Sequence, residues 1–451
     1  MMAAETTALS PTLARALIRS LSRGTAVSEG ARFIHVGQRA WLDAQLEMLN
    51  EVAEDRHSET KFVRGAYGAG KSHFLSVVQD FARERNWVTS HVECKLDQVE
   101  IDRFETLYPK IAEKLLMADL GSGSTPGRPE PPADPMRHLS ERWARAVLRK
   151  AGVREEALSR PFDADERVYG YFQNRLLRSA LPVQFVQALM GFTRATLAGD
   201  HDTTAAICAW LRGVPDNLSL PAVYLANPKT FNKGARPAVI RPIGKGTVHE
   251  VMRGLLWLIR DAGYSGLVLC IDEVEELARL GTQKRQDQAL QALREFVDHA
   301  GGEGSYDSLC MYLAATPEMF ESPRFFLRYD ALATRIQSFS PRLNWRGPVI
   351  DLERTPLNRS EMIDVADAIA RVHATAYATS STVHAPPSLV AKIVDSVLGS
   401  RFRLAKPRLL ARVLVDELEK MRQEGTAYRP TDDLTALTAK AAAAVMASQT
   451  A

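Results

Sequence analysis

Residues 65–72 form the stretch of this sequence whose residue types and spacing most clearly indicate chemistry. The stretch reads Gly-Ala-Tyr-Gly-Ala-Gly-Lys-Ser and fits the pattern G-x-x-x-x-G-K-[S/T]. In this pattern the glycines let backbone N–H groups approach a phosphate chain closely, and the following helix directs the positive end of its dipole at the same phosphates. A β-favouring run precedes the stretch, and apolar residues follow it at helical spacing: Phe74, Val77, Val78 and Phe81. The sequence therefore predicts a strand, a phosphate-binding loop and a helix.

The polar side chains of the predicted loop suit a nucleotide with a bound metal ion. Lys71 is expected to reach the β- and γ-phosphates, and the Ser72 hydroxyl is expected to bind Mg²⁺. The alternative is a glycine turn that precedes an ordinary helix and binds nothing. On the first interpretation the phosphate-binding residues are Gly65, Gly68, Ala69, Gly70, Lys71, Ser72 and His73.

Two carboxylates follow a strongly apolar run in the second half of the chain. Five consecutive apolar residues, 267–271, lie between Gly266 and Asp272, which predicts a parallel strand buried on both faces. Ligands of open α/β sheets bind at the carboxyl ends of the strands. Asp272 is therefore expected to bind Mg²⁺, and Glu273 to polarise the water that attacks the γ-phosphate. A glutamate in this place favours hydrolysis over transfer to a bound hydroxyl, which argues against a P-loop kinase.

The next apolar run, residues 309–315, predicts another strand, and Thr316 follows it directly. A hydroxyl at this strand end is able to hydrogen-bond the attacking water or the γ-phosphate. The alternative role for Thr316 is to begin a turn before Pro317.

The overall composition is that of a globular protein with two or three domains. The chain has 451 residues, 45% of them hydrophobic and 25% charged, and its net charge of +3 indicates nothing about nucleic acid. No apolar run reaches membrane-spanning length and residues 1–11 do not read as a signal peptide, so we predict a cytoplasmic protein. The scattered cysteines are expected to be small core residues: Cys94, Cys208, Cys270 and Cys310.

Periodicity along the chain predicts an α/β fold in four parts. Residues 1–120 are expected to hold N-terminal helices, packed on the core, and the first part of the core with the phosphate loop, including a helix over 108–116. Residues 121–247 begin with a linker rich in Pro and Gly and continue as a mainly helical insertion. Residues 248–355 are expected to complete the core, and residues 356–451 to form a helical domain.

Residues 226–249 carry basic side chains and no acidic one, and their glycines and prolines predict irregular structure. Such a stretch is able to contact the phosphate backbone of DNA or an acidic partner surface. The alternative is a solvated surface loop. The basic residues are Lys229, Lys233, Arg236, Arg241 and Lys245.

The order of these features resembles that of the AAA+ ATPases, nearest to their initiator-like branch. More narrowly, the chain is similar to the BrxD-like ATP-binding proteins of BREX-type bacterial phage defence. Three segments carry this likeness, which extends over most of the chain but is thin across the insertion: residues 36–39 (Val-Gly-Gln-Arg), residues 64–75 and residues 262–275.

The resemblance implies a P-loop NTPase with a parallel five-stranded sheet, a central phosphate-loop strand and a C-terminal helical lid. It implies that Val36 and Gly37 line the adenine pocket and that Thr316 is the polar sensor. It also implies that the lid arginine Arg408 contacts the γ-phosphate from the same chain, although Lys406 and Pro407 depart from the residues that many relatives have before it.

In such proteins an arginine from a neighbouring subunit completes the site. Arg335 fits this role best and Arg328 is second, so a homo-oligomer is expected. A planar, always-charged donor also suits the charge that develops on the γ-phosphate in the transition state. The alternative for Arg335 is a surface ion pair.

These features together lead to a function and its alternative. The first hypothesis is a protein that hydrolyses ATP with Mg²⁺ and drives assembly or remodelling of a defence complex with other proteins of the system, with DNA as a further candidate partner. The second is a nucleotide-gated interaction or DNA-binding module with slow or no hydrolysis.

Overall fold

We analysed a computed structural model that describes residues 9–25, 27, 29–95, 103–118, 134–153, 161–232, 234–300, 306–337, 342–377, 386–400, 406–429 and 434–450. The linker predicted at the start of the second part and Lys233 lie outside these residues, apart from the last two linker positions. The strands are β1 (Ser58–Arg64), β2 (Val88–Glu93), β3 (Leu115–Leu116), β4 (Leu218–Leu220), β5 (Ala238–Ile240), β6 (Leu267–Asp272), β7 (Leu309–Ala315) and β8 (Val349–Asp351).

The α-helices fall into three groups along the chain. The helices before the insertion are α1 (Pro11–Arg23), α2 (Arg39–Asp55), α3 (Lys71–Glu84) and α4 (Phe104–Glu113). Those of the predicted insertion are α5 (Pro135–Lys150), α6 (Pro161–Tyr171), α7 (Val183–Ala198) and α8 (His201–Leu211). The remaining helices are α9 (Val248–Asp261), α10 (Gln283–His299), α11 (Pro317–Glu321), α12 (Asp330–Ile336), α13 (Arg359–Tyr377), α14 (Pro387–Gly399), α15 (Lys406–Glu424) and α16 (Leu434–Thr450).

The main sheet has six strands in the order β3-β2-β6-β7-β1-β8. Five of them run parallel, and the two-residue β3 pairs antiparallel with β2 at one edge. The phosphate-loop strand β1 lies between β7 and the edge strand β8, so it is internal but not at the middle of the sheet. This mostly parallel α/β sheet is compatible with a P-loop NTPase.

Each face of the sheet is covered by its own hydrophobic core. In β6 the alternate residues Leu267, Leu269 and Ile271 join a core that also contains residues of α10 and of the insertion helices. Val268 and Cys270 join the opposite core, with residues of α1, α2, α3 and the C-terminal helices. A strand buried on both faces explains the uninterrupted apolar run in the sequence. All four cysteines are buried and free, as expected.

The N-terminal helix α1 packs against α13 and α15 in the C-terminal helical region. Ser10 caps its first turn by accepting a hydrogen bond from the Leu13 N–H, and Gly24 ends it in the left-handed conformation. The Arg15 side chain donates a hydrogen bond of 3.1 Å to the carbonyl oxygen of Ala376 at the end of α13. The helix α2 packs on the α/β core, against α3 and β7.

Two local predictions were wrong. The helix predicted over residues 108–116 spans Phe104–Glu113, and Leu115–Leu116 form β3 instead. Residues 226–249 are not wholly irregular, because Ala238–Ile240 pair with Leu218–Leu220. In both cases a short apolar segment becomes a strand by pairing with a distant partner, which local periodicity does not reveal.

The division of the chain into four parts stays a prediction. Among the residues that the structure describes, no helix combines the length and the apolar character that crossing a membrane requires.

Candidate nucleotide-binding site

The predicted phosphate loop connects the end of β1 to the first residue of α3. Gly68 and Gly70 have φ angles of 76° and 99°, in the left-handed region that glycine adopts without strain. A Cβ atom added to Gly65 would lie 3.0 Å from the Cβ of Ala69, so this position is also tight. The Ala66 N–H donates a hydrogen bond of 3.2 Å to the Glu353 carboxylate, which holds the loop from the side of β8. These contacts give the loop a defined shape without a ligand.

Lys71 is buried beneath the loop and has three partners there. Its Nζ donates a hydrogen bond of 2.9 Å to the carbonyl oxygen of Gly65 and lies 3.5 Å from Oε1 of Glu275. The Tyr67 ring, whose centroid is 5.3 Å from Nζ, covers it from the other side. Glu275 had no role in the sequence-based hypothesis.

Asp272 lies at the end of β6 and is only 2% exposed. Burial by itself raises the pKa of its carboxyl group, but polar contacts with His91 and Ser72 and a hydrogen bond from the Glu273 N–H outweigh this effect, and the pKa is lowered. The site therefore favours the ionised carboxylate, next to the Ser72 hydroxyl. Two oxygen donors of this kind fit Mg²⁺, which prefers carboxylate and hydroxyl oxygens. The structure thus brings together the two residues that the sequence assigned to the metal.

Glu273 follows Asp272 with a φ angle of 56°, which is unusual for a residue with a side chain. Its side chain is partly buried, and burial together with the negative charges of Asp272 and Glu93 raises the pKa of its carboxyl group. A strained backbone and a raised pKa at one residue are typical of functional positions.

Thr316 follows β7, the strand that lies between the phosphate-loop strand β1 and the acid-bearing strand β6. Strand β7 separates β6 from β1, and Ala315 pairs with Arg64 at the residue before the phosphate loop. Thr316 is 7% exposed and begins α11, but its side chain makes no capping hydrogen bond there. Its hydroxyl is therefore not used by the helix that it precedes.

The segment of Val36 and Gly37 is connected to the phosphate loop through two histidines. Nδ1 of His35 lies 3.4 Å from Nε2 of His73, whose pKa is lowered to about 3 by burial. The side chain of His73 therefore contacts His35. Its backbone N–H, in the first turn of α3, is the group of this residue that is suited to bind a phosphate. On its other side Gly37 lies against Leu357, to which an added Cβ would come within 2.5 Å.

The two candidate arginine fingers are held by ion pairs to α10. Arg335 pairs with Asp298 at 2.6 Å, and Arg328 pairs with Asp287 at 2.6 Å. Both arginine side chains remain about two-fifths exposed, at 37% and 40%. The structure of the single chain brings neither of them into contact with the phosphate loop.

The lid candidate Arg408 is half-buried in the first turn of α15. It lies against the end of α1, where a Cβ added to Gly24 would be 3.3 Å from its Nε. That Nε atom is buried without a hydrogen-bond partner. Burial, followed by the charge of Arg412, lowers the pKa of Arg408. A buried guanidinium with an unused donor is suited to an anionic ligand.

A family model described as BREX system ATP-binding protein BrxC/D matches residues 9–436. The chain belongs to this family. A search of curated proteins found no match. Membership of the BREX family implies ATP binding, a role in phage defence and other proteins of the defence system as partners.

The structure adds residues to the site of this BREX family member that the sequence did not single out. His91 on β2 reaches Asp272, and Glu275 reaches Lys71. Glu275 was visible as a further acid after the apolar strand, but only the 3-10 turn over Val274–Arg279 places it beneath the loop. His91 could not be predicted, because the local sequence does not indicate that β2 pairs with β6.

Four of the five basic residues predicted to contact DNA lie within the described residues, and their side chains are exposed. Lys229 pairs with Glu166 at 2.5 Å. Arg236, Arg241 and Lys245 are exposed, and none of them forms an ion pair with another residue in the described ranges. The exposed cations fit either interpretation of this stretch.

Proposed function

We propose that this chain is a Mg²⁺-dependent ATPase that drives assembly or remodelling of its defence complex. The observation that carries the proposal is the contact of Ser72, in the phosphate loop, with Asp272, the residue that Glu273 follows at the end of β6. A nucleotide-binding loop alone supports binding. An acidic pair at the end of β6, which β7 separates from the phosphate-loop strand, supports hydrolysis as well.

Each side chain has a distinct task in this proposal. Lys71 binds the β- and γ-phosphates, and Ser72 and Asp272 hold Mg²⁺, which supplies positive charge against the phosphate oxygens. Glu273 orients the attacking water and accepts its proton. The raised pKa of Glu273 suits this task, because a base of higher pKa accepts a proton more readily. Thr316 hydrogen-bonds the water or the γ-phosphate.

Two arginines complete the proposed site around the γ-phosphate. Arg408 approaches from the helical region of the same chain, and its unpaired Nε atom supports this role. Arg335 of a neighbouring copy contributes the second cation, with Arg328 as the other candidate. The chain is then a homo-oligomer whose sites lie between subunits, and Val36 and Gly37 line the adenine pocket.

One observation favours the second hypothesis, a nucleotide-gated module with slow or no hydrolysis. Arg335 and Arg328 are both engaged in ion pairs within their own chain. A site without its arginine finger binds nucleotide but turns it over slowly. The module would then change its interactions with partners or DNA when nucleotide binds.

The variant Glu273→Gln separates the two hypotheses. An ATPase machine with this variant binds ATP, loses turnover and loses its effect on the defence complex. A gated module with the same variant keeps or strengthens partner binding. Steady-state ATP hydrolysis, measured over a series of protein concentrations, gives the turnover, and the absence of hydrolysis at every concentration would contradict the first hypothesis.

DNA is a proposed partner through the exposed cations of the insertion. Replacing Arg236, Arg241 and Lys245 with alanine, together with Lys229 and Lys233, is expected to weaken binding to duplex DNA and to reduce its salt dependence. Hydrolysis measured with and without DNA tests whether this surface is coupled to the nucleotide site. Unchanged DNA binding in the variant would remove the proposal.

A further inference from the structure

Lys71 has three partners within its own chain. The residue expected to bind phosphates is 7% exposed and already contacts the Gly65 carbonyl oxygen, the Glu275 carboxylate and the Tyr67 ring. A phosphate group that takes Lys71 must therefore replace existing partners. The strongest of these partners is the one with a full negative charge, Glu275.

Glu275 is a buried carboxylate that the proposed mechanism does not use. Its side chain is 6% exposed, and both of its oxygens are buried without a hydrogen-bond partner. Lys71 at 3.5 Å is the only residue in the described ranges that forms an ion pair with it. Burial raises the pKa of Glu275, and the charge of Lys71 acts in the opposite direction. A buried carboxylate with one cationic partner depends strongly on that partner.

We propose that Glu275 is an internal counter-ion of Lys71, and that the nucleotide phosphates compete with it for the lysine. The inference deepens the proposed function, since it rests on nucleotide binding at the same loop. Glu275 supplies the negative charge beside Lys71 that a bound phosphate would otherwise supply. The affinity of the loop for nucleotide is then set partly by the free energy of separating Lys71 from Glu275.

Separating Lys71 from Glu275 is expected to oppose nucleotide binding. When Lys71 moves to the phosphates, Glu275 is left buried without a cation, in the neighbourhood of the negative charges of Asp272 and the ligand. Leaving one member of a buried pair alone is unfavourable. Glutamine at this position has nearly the same shape and no charge, so it neither holds Lys71 nor repels phosphate. Glu275→Gln should therefore bind nucleotide more tightly than the natural chain.

Calorimetric titration with ATP, ADP and AMP in the presence of Mg²⁺ measures this effect. Glu275→Gln is expected to bind ATP and ADP about tenfold more tightly or better, and AMP without change, because Lys71 contacts only the β- and γ-phosphates. The matched control is Glu276→Gln, which removes the next carboxylate along the chain, paired with Arg279 at 3.0 Å. The control should bind all three nucleotides like the natural chain. Unchanged or weaker binding of ATP by Glu275→Gln, or a gain that extends equally to AMP, would overturn the inference.

A second measurement needs no nucleotide. If Lys71 and Glu275 stabilise each other, Lys71→Met leaves a buried carboxylate unpaired and lowers the melting temperature. Adding Glu275→Gln to Lys71→Met should then restore part of the loss. Additive effects of the two substitutions would contradict the pairing. The natural chain could fail to bind ATP while the effects of Lys71→Met and Glu275→Gln on the melting temperature remain coupled. That result would contradict the proposed nucleotide site, and with it the release of Lys71 by phosphates, but not the pairing of Lys71 with Glu275.

Discussion

Nε2 of His91 lies 3.6 Å from the Asp272 carboxylate, on the strand next to it in the sheet. The other ring nitrogen, Nδ1, is 2.9 Å from the side-chain amide nitrogen of Gln79. An amide nitrogen only donates, so this contact makes Nδ1 the acceptor and leaves the proton on Nε2, facing Asp272. We therefore expect His91 to position Asp272, the proposed metal ligand.

His91→Ala should reduce Mg²⁺-dependent ATP hydrolysis by about 10- to 100-fold, since partners of metal ligands have effects of this size. A titration of hydrolysis against Mg²⁺ should show a higher Mg²⁺ requirement. The control is His201→Ala, on the exposed first residue of α8. Equal Mg²⁺ requirements for His91→Ala and the natural chain would contradict the positioning role.

The glycines of the phosphate loop allow a matched test of backbone conformation. A Cβ on Gly70 or on Gly281 would meet no atom within 4 Å, yet only Gly70 has a positive φ angle, of 99°. Gly70→Ala should therefore lower the free energy of unfolding by about 1–2 kcal/mol through backbone strain alone. Gly281→Ala should change it by less than about 0.5 kcal/mol. Urea unfolding checks both values, and equal effects would show that the φ angle is not the cause.

The acid limb of the pH profile of hydrolysis should report Glu273. The base must be ionised, and its pKa lies above the ordinary 4.5 because of burial and of the charges of Asp272 and Glu93. Turnover should thus fall as the pH drops through a value above 4.5. Glu93→Gln removes one of the charges that raise this pKa and should move the limb to lower pH. A limb that stays in place would argue against Glu273 as the base.

The trans role of Arg335 can be tested against a neighbour with the same partner. Arg335 and Arg294 both pair with Asp298, at 2.6 and 3.3 Å. Arg335→Ala should keep ATP binding and lose the dependence of turnover on protein concentration. Arg294→Ala should retain the dependence of turnover on protein concentration, because this change removes only a surface ion pair worth about 0–1 kcal/mol. If both variants behave alike, Asp298 rather than the arginine finger is responsible.

The C-terminal helices should lose stability in mild acid through His373. This histidine is 1% exposed and lies 3.0 Å from Glu419, with Arg422 also nearby. Burial lowers its pKa below 6.5, although Glu419 acts in the opposite direction. A lowered pKa gives stability that is present above pH 6.5 and is lost as the pH falls below it, by up to about 1.4 kcal/mol per pH unit. His373→Gln should lose less unfolding free energy between about pH 7.5 and about pH 5.5, a range that spans the ordinary pKa of histidine. An identical loss would assign the pH dependence to other groups.

Much of the site could be predicted because its residues follow local patterns. The loop around Lys71 and the acids after the strand at 267–272 each depend on a run of a few residues and on the rule that ligands bind at strand ends. The partners of those residues could not be predicted in the same way. Glu275 and His91 reach Lys71 and Asp272 through a turn and a strand order that only the folded chain defines.

The same distinction applies to the fold. Helices such as α13 were predictable from a long repeating apolar pattern. The pairing of β3 with β2 and of β4 with β5 joins segments too short to carry such a pattern. The packing of α1 on the C-terminal helices was missed because an amphipathic helix does not indicate which surface covers its apolar face.

That packing has a mechanical consequence. Because α1 is bound to α13 and α15, any displacement of the C-terminal helices carries the N-terminal helix with it. The chain between α1 and α2, which includes His35 and Gly37, is then pulled at one end while the contact of Gly30 and Arg32 with Asp80 anchors it to α3. A displacement of the helical region, such as the proposed role of Arg408 would require, would thus be transmitted through these contacts to α3, the helix that begins at the phosphate loop.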